Sequence, residues 1–121
     1  MNELIDKKAI SLLISQLGFD MVTEVLEAFV PDARRNIDFL QTQWQKDQYQ
    51  SLRIKSHSLK SSAANLGFVK LSTLAKDLEE HCLNHEEHTF DSQHDDLASL
   101  SQLLEASIAE LALMGISQRN L

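Results

Sequence analysis

Between Val22 and Trp44 the apolar residues Val22, Leu26, Phe29, Ala33, Ile37, Leu40 and Trp44 recur at intervals of three and four. That spacing puts them on one side of a helix and on both sides of a strand, so the segment buries a continuous stripe only as a helix. The same period returns in Leu71, Leu74, Ala75, Leu78 and Cys82, and again in Leu97, Leu100, Leu104, Ile108 and Leu111. With three glycines and one proline in 121 residues, little interrupts these runs. The stretches between the stripes are rich in Leu, Ala, Gln, Glu, Lys and Ser, which favour helix over sheet.

The helices can be placed by their ends. A first helix is predicted over residues 4–17, with Ile5, Ala9, Leu12 and Leu13 on its inner side and Gly18 closing it. Asp20 is the expected cap of the second, and Pro31 is expected to kink or break it. Asp47 is the expected cap of a third helix, which Asn65 and Gly67 close. The fourth starts near Phe68, residues 85–96 form the longest loop, and the last helix runs to Gly115. Repeats and linkers are absent. The fold class is therefore all-α: an antiparallel four-helix bundle with an additional N-terminal helix, as one domain over residues 1–121.

A formal net charge of −7 disfavours nucleic acid and anionic membrane surfaces as partners, since both need a basic patch. No apolar run approaches the roughly 18 residues of a membrane span, and no secretory core follows Met1. Cys82, the only cysteine, cannot form an intrachain disulfide. A soluble, cytoplasmic protein is expected.

The third helix carries the most chemistry. At 100° per residue Leu52, Leu59, Ala63 and Leu66 face the core, and Arg53, His57, Lys60, Ser61 and Ala64 lie on a different arc. His57 is thus placed in water, with a lysine one turn on, an arginine one turn back and small side chains beside it. An imidazole that carries a phosphoryl group needs these conditions. It must be reachable and largely neutral near pH 7, as an ordinary pKa of about 6.5 allows. It also needs positive charge for the phosphoryl oxygens and clearance for an in-line approach. Lys60 supplies that charge as a mobile ammonium, with Arg53 as a second source, and Ser61 and Ala64 give the clearance. Ile54 and Phe68 are candidate apolar contacts for a docking partner. An acceptor from the neighbouring helix is needed to fix the ring's tautomer.

Two other constellations are weaker. His81 and His85 stand four apart with Cys82 and several glutamates nearby, a spacing that can hold zinc on a helix. No third or fourth ligand can be placed, Cys82 belongs to an apolar stripe, and no metal site is expected. Ser58 points away from its neighbour His57, and no Gly-x-Ser-x-Gly turn exists to build a hydrolase nucleophile.

The run His57-x-Leu59-Lys60-Ser61-Ser62-Ala63-Ala64-x-Leu66-Gly67, followed by Leu71, Leu74 and Leu78-Glu79, resembles the signature of histidine-containing phosphotransfer (HPt) domains. The resemblance implies that His57 accepts the phosphoryl group, on Nε2, and that Lys60 faces it. It also implies that Glu79 stands where the family has a glutamine or similar residue reaching the histidine. Such domains relay phosphoryl groups between receiver domains of hybrid histidine kinases and response regulators, without ATP. They need no cofactor of their own, the magnesium being expected on the receiver. The family usually has glycine after the lysine; Ser61 is small enough to keep access. A monomer is expected, because a dimer covering His57 would block transfer. The rival reading is a non-catalytic helical adaptor that binds receiver or kinase domains through the same patch.

Overall fold

A computed structural model describes residues 3–84 and 94–116. The described residues form five α-helices, α1 (Lys7–Leu17), α2 (Phe19–Thr42), α3 (Tyr49–Asn65), α4 (Val69–Asn84) and α5 (His94–Leu113), and a 3-10 turn at Lys46–Gln48. No strand occurs among the described residues. α2 packs on α3, α3 on α4, α4 on α5, and α5 returns to α2, which closes the four-helix bundle. The additional helix α1 bends away from α2 by 118°. No single helix among the described residues is long and apolar enough to cross a membrane.

The stripes in α2 and α5 lie where their period puts them. Val22, Leu26, Phe29, Ala33, Ile37 and Leu40 are buried, as are Leu97, Leu100, Leu104, Ile108 and Leu111. At roughly 1.5–3 kcal/mol for each fully buried aliphatic side chain, this burial is the main force holding the helices together. It also accounts for Pro31, which does not break α2: the helix is continuous from Phe19 to Thr42. A proline inside a helix costs about 3 kcal/mol, less than the buried residues on its two sides contribute. Trp44 lies beyond the end of α2 and is half-buried against the core.

The helix starts differ from expectation more than the stripes do. α1 begins at Lys7, and Asp6 caps it by accepting the Ala9 amide at 3.1 Å. Ile10 is buried and Leu12 is 56% exposed, because α1 seats Ile10 on the α3–α4 turn and a residue two places on points to the opposite side. Gly18 (φ +90°) both ends α1, donating to the Ile14 carbonyl at 2.8 Å, and leads directly into α2. Asp20 therefore falls inside the first turn of α2, where it favours the helix dipole without capping. Asp47 lies in the 3-10 turn, and Gln48 takes the capping position of α3 with no side-chain bond. Residues 94–96, expected to belong to the long loop, form the first turn of α5; the rest of that stretch, residues 85–93, His85 among them, lies outside the described residues.

The connection between α3 and α4 is tight. Gly67 (φ +79°) donates to Ala64 O at 3.1 Å and Phe68 donates to Ala63 O at 2.8 Å, a Schellman ending that reverses the chain in three residues. Asp6 donates its amide to Gly67 O at 2.7 Å, so the start of α1 is fastened to this turn. A Cβ on residue 67 would meet Ile10 Cγ1 at 3.1 Å and the Asp6 carbonyl at 3.3 Å, so the backbone angle favours glycine and a side chain there would also press on its neighbours. Phe68, directly after it, is fully buried with its ring edge-on to Phe29 at 5.2 Å.

Candidate functional site

α3 and α4 are the most closely packed pair in the bundle. Leu52, Leu59 and Ala63 from one helix and Leu71, Ala75, Leu78 and Cys82 from the other bury their side chains in the shared core. That packing fixes the rotation of both helices. It turns His57 outward, with 57% of its side chain exposed, and brings Glu79 of α4 beneath it.

Glu79 is a carboxylate with only 10% of its side chain exposed, and both of its oxygens are used. Oε2 lies 2.8 Å from Nδ1 of His57, and Oε1 accepts from Nζ of Lys60 at 2.7 Å. Burial pushes this carboxyl upward, but the hydrogen bonds from Lys60 and His57 outweigh it and hold Glu79 below its ordinary 4.5. Ionised, it can only accept. Nδ1 of His57 therefore carries the proton and donates it to Oε2, which leaves Nε2 with the lone pair. Ser72 of α4 adds a strap at the same level, its hydroxyl donating to the Lys60 carbonyl at 3.0 Å.

The other predicted residues divide. Arg53 and Ser61 are half-buried and Ala64 is exposed, all on α3 around the imidazole. Ile54 is 56% exposed. Phe68 is not part of any surface: it is fully buried against Phe29, because it follows the helix-ending glycine and its direction is set by the turn and not by the periodicity of α3. Lys60 is not a freely mobile ammonium either, since Glu79 holds it and its side chain is 28% exposed. Cys82 is buried, and burial first, then the Glu79 charge, pushes its thiol up to about 12 against the opposing effect of Arg53. His81 is half-buried, and no group of three metal-ligating side chains exists among the described residues.

Two features escaped the sequence reading. Ser72 as a strap has no motif of its own. A groove of about 290 Å³ runs between α2 and α3, lined by Val25, Ala28, Asp32, Ser62 and Asn65 among others; its presence depends on how far apart the two helices sit.

The exposed imidazole on this helical bundle is held at one nitrogen by a buried carboxylate and flanked by a lysine. The sequence model of the Hpt domain family matches residues 24–112, from within α2 almost to the end of α5. The chain belongs to the Hpt domain family, whose function is histidine phosphotransfer in phosphorelays. No curated protein and no solved structure gives a significant match to it. α1 lies outside the matched region, and His57, Lys60 and Glu79 all lie within it.

Proposed function

We propose that this protein relays a phosphoryl group between aspartates of receiver domains, taking it from a hybrid histidine kinase and passing it to a response regulator. His57 is the carrier. The observation that supports this most is the exposed ring whose Nδ1 is already occupied by Glu79, so that Nε2 alone offers a lone pair. In the accepting step that lone pair attacks the phosphorus of an aspartyl phosphate. The Nε2–P bond forms, the P–O bond breaks, and the electron pair leaves with the aspartate carboxylate. The return step reverses these changes on the second receiver.

Each residue has a limited part. Glu79 orients the imidazole and fixes its tautomer, which places Nε2 for in-line attack. Lys60, and Arg53 one turn back, offset charge on the phosphoryl oxygens. Ser61 and Ala64 leave room beside the ring, and Ile54 offers an apolar contact to the docked receiver. The magnesium that assists the aspartyl chemistry resides on the receiver, and the protein works as a cytoplasmic monomer with His57 uncovered.

The test is phosphoryl exchange with a phosphorylated receiver and magnesium, following base-stable, acid-labile phosphate on the intact chain. Wild type is expected to take label and His57→Gln to take none while remaining helical. Lys60→Ala is expected to slow transfer at least tenfold, a loss of about 1.4 kcal/mol of transition-state stabilisation. Label on folded His57→Gln would reassign the carrier. Tight receiver complexes without transfer would instead favour the adaptor.

A further inference from the structure

Glu79 does one thing that orientation alone does not require. A neutral glutamine would accept the same Nδ1–H bond, yet here the acceptor carries a full charge in a buried position and divides it between the ring and Lys60. The consequence appears only after phosphoryl transfer. A neutral imidazole with its proton on Nδ1 becomes an imidazolium when Nε2 binds phosphorus, because both nitrogens are then substituted. If Nδ1 keeps its proton, Nε2 departs from phosphorus as a neutral imidazole, a good leaving group. If Nδ1 loses it, Nε2 would have to depart as an imidazolide anion, and the N–P bond becomes inert. An opposite charge in contact with the ring favours the protonated form.

Building on the carrier reading, we propose that the Glu79 carboxylate keeps the phosphorylated His57 ring protonated at Nδ1, which holds the phosphoryl group in a readily transferred state and makes the protein a fast relay rather than a store. Lys60 moderates the effect. Its ammonium shares the carboxylate at 2.7 Å, so part of the charge that would stabilise the imidazolium is already balanced. The groups facing this point can be named from each helix. α3 presents Arg53, His57 and Lys60, and α4 presents Glu79 and Cys82, whose thiol stays protonated. Among the described residues no charge from α2 or α5 is among those acting on Glu79. No proton needs to enter or leave in either direction of transfer: the Nδ1 proton stays on its Glu79 bond while the Nε2–P bond forms and breaks.

The test needs no partner protein. The full-length, nitrogen-15-labelled chain is phosphorylated on His57 with phosphoramidate, and the Nδ1 proton is followed by NMR as pH is raised, alongside the lifetime of the phosphorus signal. The expected result is that the Glu79→Gln ring loses its proton at least about one pH unit below wild type. Its phosphoryl group should then survive roughly tenfold longer on the alkaline side, where each unit changes the protonated fraction tenfold. Glu79→Asp should recover part of the shift, and Lys60→Met should move it the other way, to higher pH. That pair of opposite signs separates charge from simple support, and it decides the matter even where Glu79→Gln folds poorly. Equal titration midpoints in wild type and Glu79→Gln, a downward shift in Lys60→Met, or a wild-type ring that takes no phosphoryl group would overturn the proposal. Failure of the carrier reading looks different: no transfer from receivers to a protein whose ring titrates as stated.

Discussion

The α3–α4 side of the bundle and the α2–α5 side are both helix pairs, yet they use polar residues in opposite ways. Between α2 and α5 the ion pair lies on the surface: Arg34 grips Glu105 through Nε at 3.1 Å and Nη2 at 2.9 Å with both side chains about half exposed, while Gln41 donates to the part-buried Leu97 carbonyl at 2.7 Å. Between α3 and α4 the link is a buried carboxylate that serves two cations or donors at once. Surface pairs are screened by water and typically contribute up to about 1 kcal/mol. A buried carboxylate must be fully satisfied or it destabilises its surroundings. One side is therefore tolerant of change and the other is not, and the intolerant side is the one that carries His57.

The largest expected effect that would sharpen this contrast is at the α3–α4 turn. Gly67→Ala should cost about 1–3 kcal/mol, from the left-handed backbone and the close approach to Ile10 and Asp6. Gly115→Ala, with a similar φ of +87° and open space around it, should cost less. Urea melts of both variants measure the difference, and equal losses would mean that the fastening of α1 adds nothing. Next comes acidification. Because Glu79 is held below 4.5 in the folded protein, its contribution is present above that pH and is lost as pH falls through 4.5 toward the folded value. The stability gap between wild type and Glu79→Gln should accordingly narrow from pH 7 to pH 3; a constant gap would assign the effect to shape instead. The smallest effect is expected at Arg34 and Glu105. A double-mutant cycle there should give a coupling of about 0.5–1 kcal/mol that fades in high salt. A larger, salt-resistant value would erase the distinction between the two sides.

Much of this was legible in the residues themselves. The stripes of α2 and α5 repeat often enough to fix their inner faces, and the run from His57 to Gly67 places the exposed ring, its lysine and its small neighbours. The failures share a cause. Phe68 and Trp44 sit just outside helices, where a period of 3.6 has no authority over direction. Asp20 and Asp47 have the right chemistry for caps, but a glycine and a 3-10 turn set the helix starts around them. Leu12 and Ile10 were separated only by what α1 rests on, which is the α3–α4 turn. Glu79 is the most instructive case. Its place beneath His57, 22 residues away in sequence, depends on the relative rotation and height of two helices, and no pattern within either helix encodes that. The family likeness pointed to the position without saying how a carboxylate would be used there.

The bond from Asp6 to Gly67 has a mechanical meaning as well. His57 sits nine residues before Leu66, so the imidazole rides at the end of an arm roughly 13 Å long whose pivot is the Schellman turn. A rotation of about five degrees at that pivot would carry the ring about 1 Å from Glu79 over such an arm, enough to undo a 2.8 Å hydrogen bond. α1, which the family match leaves out, presses on the pivot and not on the working end. Its contribution is angular precision delivered at a distance, obtained from the Asp6–Gly67 bond, a second backbone bond from Lys70 to the Leu4 carbonyl just before the helix, and one isoleucine.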